Sequence, residues 1–256
     1  MKLVRLAVRM TAFWLASATL YALWLLGRGL TIRSREGRLR WHRFIMTTWG
    51  RTSARVMQMR VCVEGAPPAP PFFLVANHLS YVDIIAFASV TDCVFVSRHD
   101  VAQWPGIGVM AGSVGTIFLN RQSLQDIPRV IAQIDRALAD GMGVILFPEG
   151  TSTKGEKILP FSPALLEPAA RAGYPVSYAS IRYSTPAGET PAWLSVCWWG
   201  EMTFLPHLAG LLQLRSFEAR IVFGPEPIRA ADRKELAREL WTAVNDRFLP
   251  MGPDAS

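Results

Sequence analysis

His78 and Asp83, five residues apart in Asn77-His78-Leu79-Ser80-Tyr81-Val82-Asp83, are a pair suited to acid–base chemistry. An imidazole held at one nitrogen by a carboxylate keeps the other nitrogen free to take a proton from a substrate hydroxyl. Three further short segments follow in order: Gly115-Thr116-Ile117-Phe118-Leu119-Asn120-Arg121, Phe147-Pro148-Glu149-Gly150-Thr151-Ser152 and Tyr174-Pro175-Val176. They add a guanidinium able to grip phosphate through two parallel hydrogen bonds, a second carboxylate, and a glycine turn with two hydroxyls. Together these parts suit the acylation of a hydroxyl beside a phosphate.

Spacing restricts how the pair can meet. On one continuous helix, His78 and Asp83 would point about 140° apart, so they touch only if His78 precedes a helix and Asp83 lies in its first turn. The apolar run Phe72 to Ala76, after the breaker Pro67-Pro68-Ala69-Pro70-Pro71, reads as a buried strand ending just before His78. Ser80, followed by Asp83 and then Ile84-Ile85-Ala86-Phe87, reads as a capping box opening a helix. The plainer alternative is that Asp83 only caps that helix and His78 is a loop residue bonded to backbone. Thr116 to Leu119 and Gly143 to Phe147 read as two more buried strands. They deliver Arg121 and the Glu149 turn at their ends, where ligand-binding groups gather in open α/β sheets. For Arg121 the alternative is a surface arginine paired with a carboxylate.

The four blocks, from about Phe72 to Tyr183, resemble those of the PlsC-type glycerolipid acyltransferases, which esterify a lysophospholipid or glycerol phosphate using a fatty acyl thioester. The resemblance implies His78 as catalytic base and Asp83 as its partner. It implies Arg121 on the acceptor's phosphate, and Glu149 with the Gly150-Thr151 turn holding the acceptor; Asn77 and Ser80, in the first block, are expected at the substrate site. The implied donor is acyl-CoA or an acyl carrier protein thioester, with no cofactor and no metal. The implied acceptor is lysophosphatidate, giving phosphatidic acid, with a lyso-ornithine lipid as the alternative. Leu159-Pro160-Phe161-Ser162 stands where many lysophosphatidate enzymes carry a basic residue, and the Pro-Phe-x-x-x-Leu-Leu-Glu-Pro run and Trp198-Trp199-Gly200-Glu201-Met202 resemble a branch containing lyso-ornithine lipid acyltransferases.

Charge points to lipid independently. Residues 1–60 carry twelve Lys or Arg against the single acid Glu36, within a formal net charge of +7, so the rest of the chain is net acidic. This basicity brackets Met10 to Gly27, an uncharged Trp-containing stretch about 27 Å long as a helix. A secretory signal is the competing reading, but arginines follow the stretch in place of a small-residue cleavage site. Either the stretch spans the bilayer, or it enters one leaflet with Leu39 to Met57 as a second, amphipathic helix in the headgroup layer. Both place the catalytic domain on the cytoplasmic face, and confinement of the basicity to the anchor argues against a nucleic-acid partner.

The expected architecture is therefore α/β: a membrane anchor over residues 1–60, then a single αβ acyltransferase domain over 67–250 around a mixed central sheet. Further strands are expected at Val94 to Ser97, Val176 to Ile181, Trp193 to Trp198 and Ala219 to Phe223, and helices at Ser123 to Ala139 and Arg233 to Phe248. Met202 to Leu214 reads as either a membrane contact or a core-facing helix. Three widely spaced cysteines suggest neither a disulfide framework nor a zinc site, and His42, His99 and His207 read as structural. Two rival classes are a membrane-bound thioester hydrolase, for which no Gly-x-Ser-x-Gly nucleophile is present, and a non-enzymatic lipid-binding protein.

Overall fold

A computed structural model of the chain describes residues 2–31, 34–120, 123 and 125–252. Short apolar runs bounded by glycine, proline or polar turns form the strands: β1 (Met59–Glu64), β2 (Phe73–Ala76), β3 (Cys93–Arg98), β4 (Ile117–Leu119), β5 (Gly143–Leu146), β6 (Val176–Ser184) and β7 (Phe217–Phe223). They make one sheet in the order β1-β7-β6-β2-β5-β3-β4. Neighbours are parallel except β6 and β7, so the sheet is mixed, as expected.

The twofold alternation of a strand divides the core in two. Leu74, Ala76, Ile145, Ala179, Ile181 and Phe217 face one side of the sheet, where they meet helices α1 (Lys2–Thr31), α2 (Arg35–Met57), α3 (Val82–Val90) and α8 (Phe204–Gln213). Phe73, Val75, Val144, Leu146 and Val176 face the other, beneath α5 (Asp126–Ala139), α6 (Glu167–Ala172) and α9 (Arg233–Asn245). The strong amphipathic spacing of Val130, Ile134 and Ala137 explains why α5 lies flat on the sheet with only that face buried.

The two N-terminal helices pair antiparallel. Trp49 on α2 donates to Ser17 Oγ at 3.1 Å, and Trp41 donates to the Trp24 carbonyl at 3.4 Å. At its first turns α1 is fastened to the body of the protein: Arg5 donates to the Gln213 carbonyl at 2.8 Å and Arg9 to that of Leu214 at 2.6 Å, satisfying acceptors at the α8 C-terminus. α2 is bound tighter still. Its Met46, Ala54 and Met57 belong to the core cluster of the sheet, and the His42 ring reaches Asp92 Oδ1 at 3.3 Å and the Val114 carbonyl at 3.0 Å. Among the described helices, α1 alone is long and apolar enough to cross a membrane, and it exposes Leu3, Val8, Leu15, Leu26 and Leu30.

Three elements differ from the sequence expectation. The Trp193 to Trp198 run is not a strand: Ala192–Ser195 is a single helical turn, α7, after Pro191. Both edges of β6, the strand that precedes it, are already taken by β2 and β7, so that run cannot pair with its sequence neighbour. β1, not anticipated, pairs with β7 immediately after α2, and the proline-rich segment 67–71 thus joins β1 to β2 within one sheet. Ile107–Ser113, a stretch marked only by its glycines, forms a short helix, α4. Met202 to Leu214 resolves as the core-facing α8, which buries Leu208, Leu211 and Leu212.

Candidate active site

Parallel pairing of β2 with β5 sets the site. Phe73 stands opposite Val144 and Val75 opposite Leu146, and the same register carried beyond the strand ends brings His78 level with Glu149. The His78 ring stacks on Phe147 with centroids 4.3 Å apart and planes 18° from parallel. His78 precedes α3 and Asp83 lies in its first turn. That is the one arrangement the spacing allowed, and the two side chains meet: His78 Nδ1 is 2.7 Å from Asp83 Oδ2.

Asp83 is fully buried, so its charge must be met by donors. Oδ2 also accepts from the backbone N–H groups of Leu79 at 2.8 Å and Ser80 at 3.1 Å, while Oδ1 accepts from the Tyr183 hydroxyl at 2.6 Å. A carboxylate so held is an acceptor toward His78, which places the imidazole proton on Nδ1 and leaves Nε2 as the basic nitrogen. The expected capping box is realised from one side only. Asp83 reaches back to the Ser80 N–H, whereas the buried Ser80 hydroxyl does not cap the helix and has no hydrogen-bond partner among the described residues.

The other expected site residues fall around this pair. Glu149 accepts from the His78 N–H through Oε1 at 2.6 Å and from the Leu159 N–H through Oε2 at 2.7 Å, so each oxygen is engaged by backbone. Burial pushes its carboxyl up to about 7, against the opposite pull of those two hydrogen bonds, and the nearby Asp83 charge adds to the rise. Gly150, at φ +82°, makes the turn that follows, a backbone state that favours glycine. Thr151 is exposed on that turn, and the next residues are tied to the histidine loop through Thr153 N–H to the His78 carbonyl at 3.0 Å. Asn77 is used structurally: its amide donates to the Ile181 carbonyl at 2.9 Å and accepts from the Ile181 N–H at 2.8 Å, continuing the β2–β6 pairing past the strand end. Arg121 lies outside the described residues. Sequence reading missed Tyr183; its signal was the inward alternation Ala179, Ile181, Tyr183 along β6.

The face of the sheet that carries His78 opens onto a cavity of about 250 Å³ between the sheet and the α1–α2 pair. Its walls are overwhelmingly apolar, with Phe13 and Trp24 from α1, Trp49 from α2, and Tyr81, Trp104 and Phe204 opposite; His78 and Phe147 form part of the lining. Tyr81 is fixed there by His207, which accepts its hydroxyl at Nδ1 over 3.0 Å and donates from Nε2 to the Cys197 carbonyl. An oriented base beside a lipid-compatible cavity can deprotonate a hydroxyl next to an acyl chain.

The model of the family described as Acyltransferase matches residues 60–182. Lyso-ornithine lipid O-acyltransferases from Rhizobium meliloti and Rhodobacter capsulatus are each 33% identical to the chain, over 77% and 76% of it and 72% of each relative. A 1-acyl-sn-glycerol-3-phosphate acyltransferase from Neisseria gonorrhoeae is 36% identical over half of both chains. The crystal structure of the 1-acyl-sn-glycerophosphate (LPA) acyltransferase PlsC from Thermotoga maritima shares the fold, with a TM-score of 0.68 at 20% identity over 96% of this chain and 98% of that one. A base and carboxylate in contact at the strand ends, an apolar cavity beside them and these relatives agree: the chain belongs to the acyltransferase family.

Proposed function

We propose that the protein transfers a fatty acyl group from a thioester of coenzyme A or acyl carrier protein to the free hydroxyl of a lyso-ornithine lipid. The observation that carries the chemistry is the 2.7 Å contact between His78 and buried Asp83 beside the apolar cavity. His78 Nε2 takes the proton of the acceptor hydroxyl, whose oxygen attacks the thioester carbonyl. The tetrahedral intermediate then collapses, the C–S bond breaks, and the departing thiolate receives the proton from the imidazolium. This route uses no metal or cofactor. Asp83 orients and charges the base, Glu149 and the Gly150-Thr151 turn shape the rim against which the acceptor lies, and Arg121 binds the acceptor's anionic headgroup. Asn77 and Ser80 serve by holding the loop that carries His78.

Two observations support the acceptor. Relatives named for lyso-ornithine lipid align over about three quarters of the chain, and Leu159-Pro160-Phe161-Ser162 offers no cation for a phosphate. The second reading, lysophosphatidate, is favoured by the 36% identity to the Neisseria enzyme. Residues 1–60 form the anchor that holds the catalytic part, 67–250, on the cytoplasmic face of the membrane; the exposed leucines of α1 and its flanking arginines support the membrane attachment.

The test offers purified protein a labelled acyl thioester with lyso-ornithine lipid, lysophosphatidate and glycerol 3-phosphate in parallel, and identifies products by mass. Ornithine lipid should form with kcat/KM at least about tenfold above that for phosphatidic acid, the discrimination expected from about 1.4 kcal/mol of differential binding. The opposite order moves the acceptor to the second reading, and absence of product with every lysolipid sinks the proposal.

A further inference from the structure

We infer that Tyr183 is a positioning residue for the base, holding the Asp83 carboxylate from the side opposite His78 and setting how much of its charge the imidazole feels. The inference deepens the proposed function, since it rests on His78 being the base.

The geometry is specific. Oδ2 of Asp83 has three donors, from His78, Leu79 and Ser80, and Oδ1 has one, the Tyr183 hydroxyl at 2.6 Å. Four donors fill the approximate lone-pair capacity of a carboxylate. The three on Oδ2 come from the loop that Asp83 itself closes, so they move with it. Tyr183 comes from β6, a hundred residues away, and ties that loop to the rigid centre of the sheet. Without it, rotation of the carboxyl plane is limited only by the local loop, and Oδ1 is a buried acceptor with no partner.

Tyr183 is itself immobilised. It is among the largest fully buried side chains, its ring meets Phe217 edge-on at 6.2 Å, and its backbone N–H points to Met251 Sδ at 3.2 Å. Burial, with the Asp83 charge beside it, drives the phenol well above its ordinary range, so it remains a donor at every pH the enzyme meets. Two other ionisable groups feel the Asp83 charge, Glu149 on the turn after β5 and Cys197, and Tyr81 lies close enough to act on Tyr183; burial keeps Cys197 and Tyr81 protonated.

A short O–H···O⁻ bond draws charge away from the edge of the carboxylate that faces imidazole. Its removal lets Asp83 stabilise imidazolium more strongly and orient it less well. Tyr183→Phe keeps the ring and removes only the hydroxyl. The expected result is a fall in kcat of about tenfold, less than the roughly 10²–10⁴-fold worth of a positioned acid–base group because Tyr183 acts only through Asp83, with KM for thioester and lysolipid within about twofold. The acid limb of kcat/KM against pH, where the base must be neutral, moves to higher pH. In an Asp83→Asn background the same change adds little further loss, because its route to the base is gone.

Unchanged kcat and an unmoved acid limb in folded Tyr183→Phe would overturn the inference, as would a full additional loss in the Asp83→Asn background. Should the phenylalanine variant fail to fold, 3-fluorotyrosine placed at 183 keeps the shape and donates more strongly. It then moves the acid limb to lower pH, and a stationary limb rejects the idea. His78→Ala measured alongside separates the two levels. If it retains transfer, the base assignment and this inference fall together; if it is inactive while Tyr183→Phe behaves as wild type, only the tyrosine's role falls.

Discussion

In the proposed mechanism His78 can serve as a base only while Asp83 holds the proton on Nδ1, because the alternative tautomer would present a donor to the substrate hydroxyl. Asp83→Asn keeps size and burial but offers the ring a neutral amide. We expect kcat to drop by about 10²–10⁴ with KM little changed, by the logic of carboxylate–imidazole pairs generally; steady-state kinetics in detergent would show it, and a loss confined to KM would contradict it. Glu149 is sensitive in another way, since both its oxygens accept backbone N–H groups. Glu149→Gln turns an NH₂ toward one of those donors, at a cost of about 1–3 kcal/mol in unfolding free energy. Its pH signature follows from a native value near 7 against an ordinary 4.5. The native state keeps a proton that the unfolded chain releases, so this contribution is fully present below about pH 4.5 and lost as pH rises through about 7. The variant lacks that slope, so the wild type's advantage in urea midpoint should be larger near pH 4.5 than above pH 7.

At the scale of elements, α2 and α3 approach closely at Gly50. A Cβ on Gly50 would lie 2.5 Å from the Ser89 nitrogen and 2.7 Å from the Ala88 carbonyl carbon, both backbone atoms that cannot swing aside. Gly50→Ala should destabilise by about 1–3 kcal/mol through overpacking, seen as a lower thermal midpoint, and a variant as stable as wild type would mean the helices are free to separate. The strands carrying the site were legible because β2, β4 and β5 are buried apolar runs flanked by glycine, proline or polar residues, a pattern that says strand without knowledge of neighbours. β1 and α7 were not. Met59–Glu64 is an edge strand recognised only through its partner β7, and the apolar Trp193–Trp198 run follows a strand, β6, whose two edges are already paired. Likewise, spacing restricted the way in which His78 and Asp83 could meet, whereas the uses of Asn77 and Glu149 depend on β2 lying between β5 and β6. That strand order is a long-range fact no local motif encodes.

Taken whole, the molecule is a membrane-associated acyltransferase whose N-terminal helices wall its own cavity. α1 is clamped at its first turns by Arg5 and Arg9 and along its length by α2, so the leucines it leaves exposed form an outward apolar face. Leu15→Glu with Leu26→Glu should lower vesicle binding at least about tenfold, since each buried leucine contributes about 1.5–3 kcal/mol, while transfer to detergent-dispersed lysolipid persists; unaltered co-sedimentation would refute that orientation. The central claim is that His78 and Asp83 pass an acyl group to a lipid hydroxyl and not to water. Its most direct test is release of free thiol from an acyl thioester, followed with and without lysolipid, in wild type and His78→Ala. The account predicts thiol release matched mole for mole by acylated lipid, dependent on the acceptor and reduced at least about 10²-fold in the variant. Thiol release with free fatty acid in the absence of lysolipid, or undiminished transfer by His78→Ala, would contradict it.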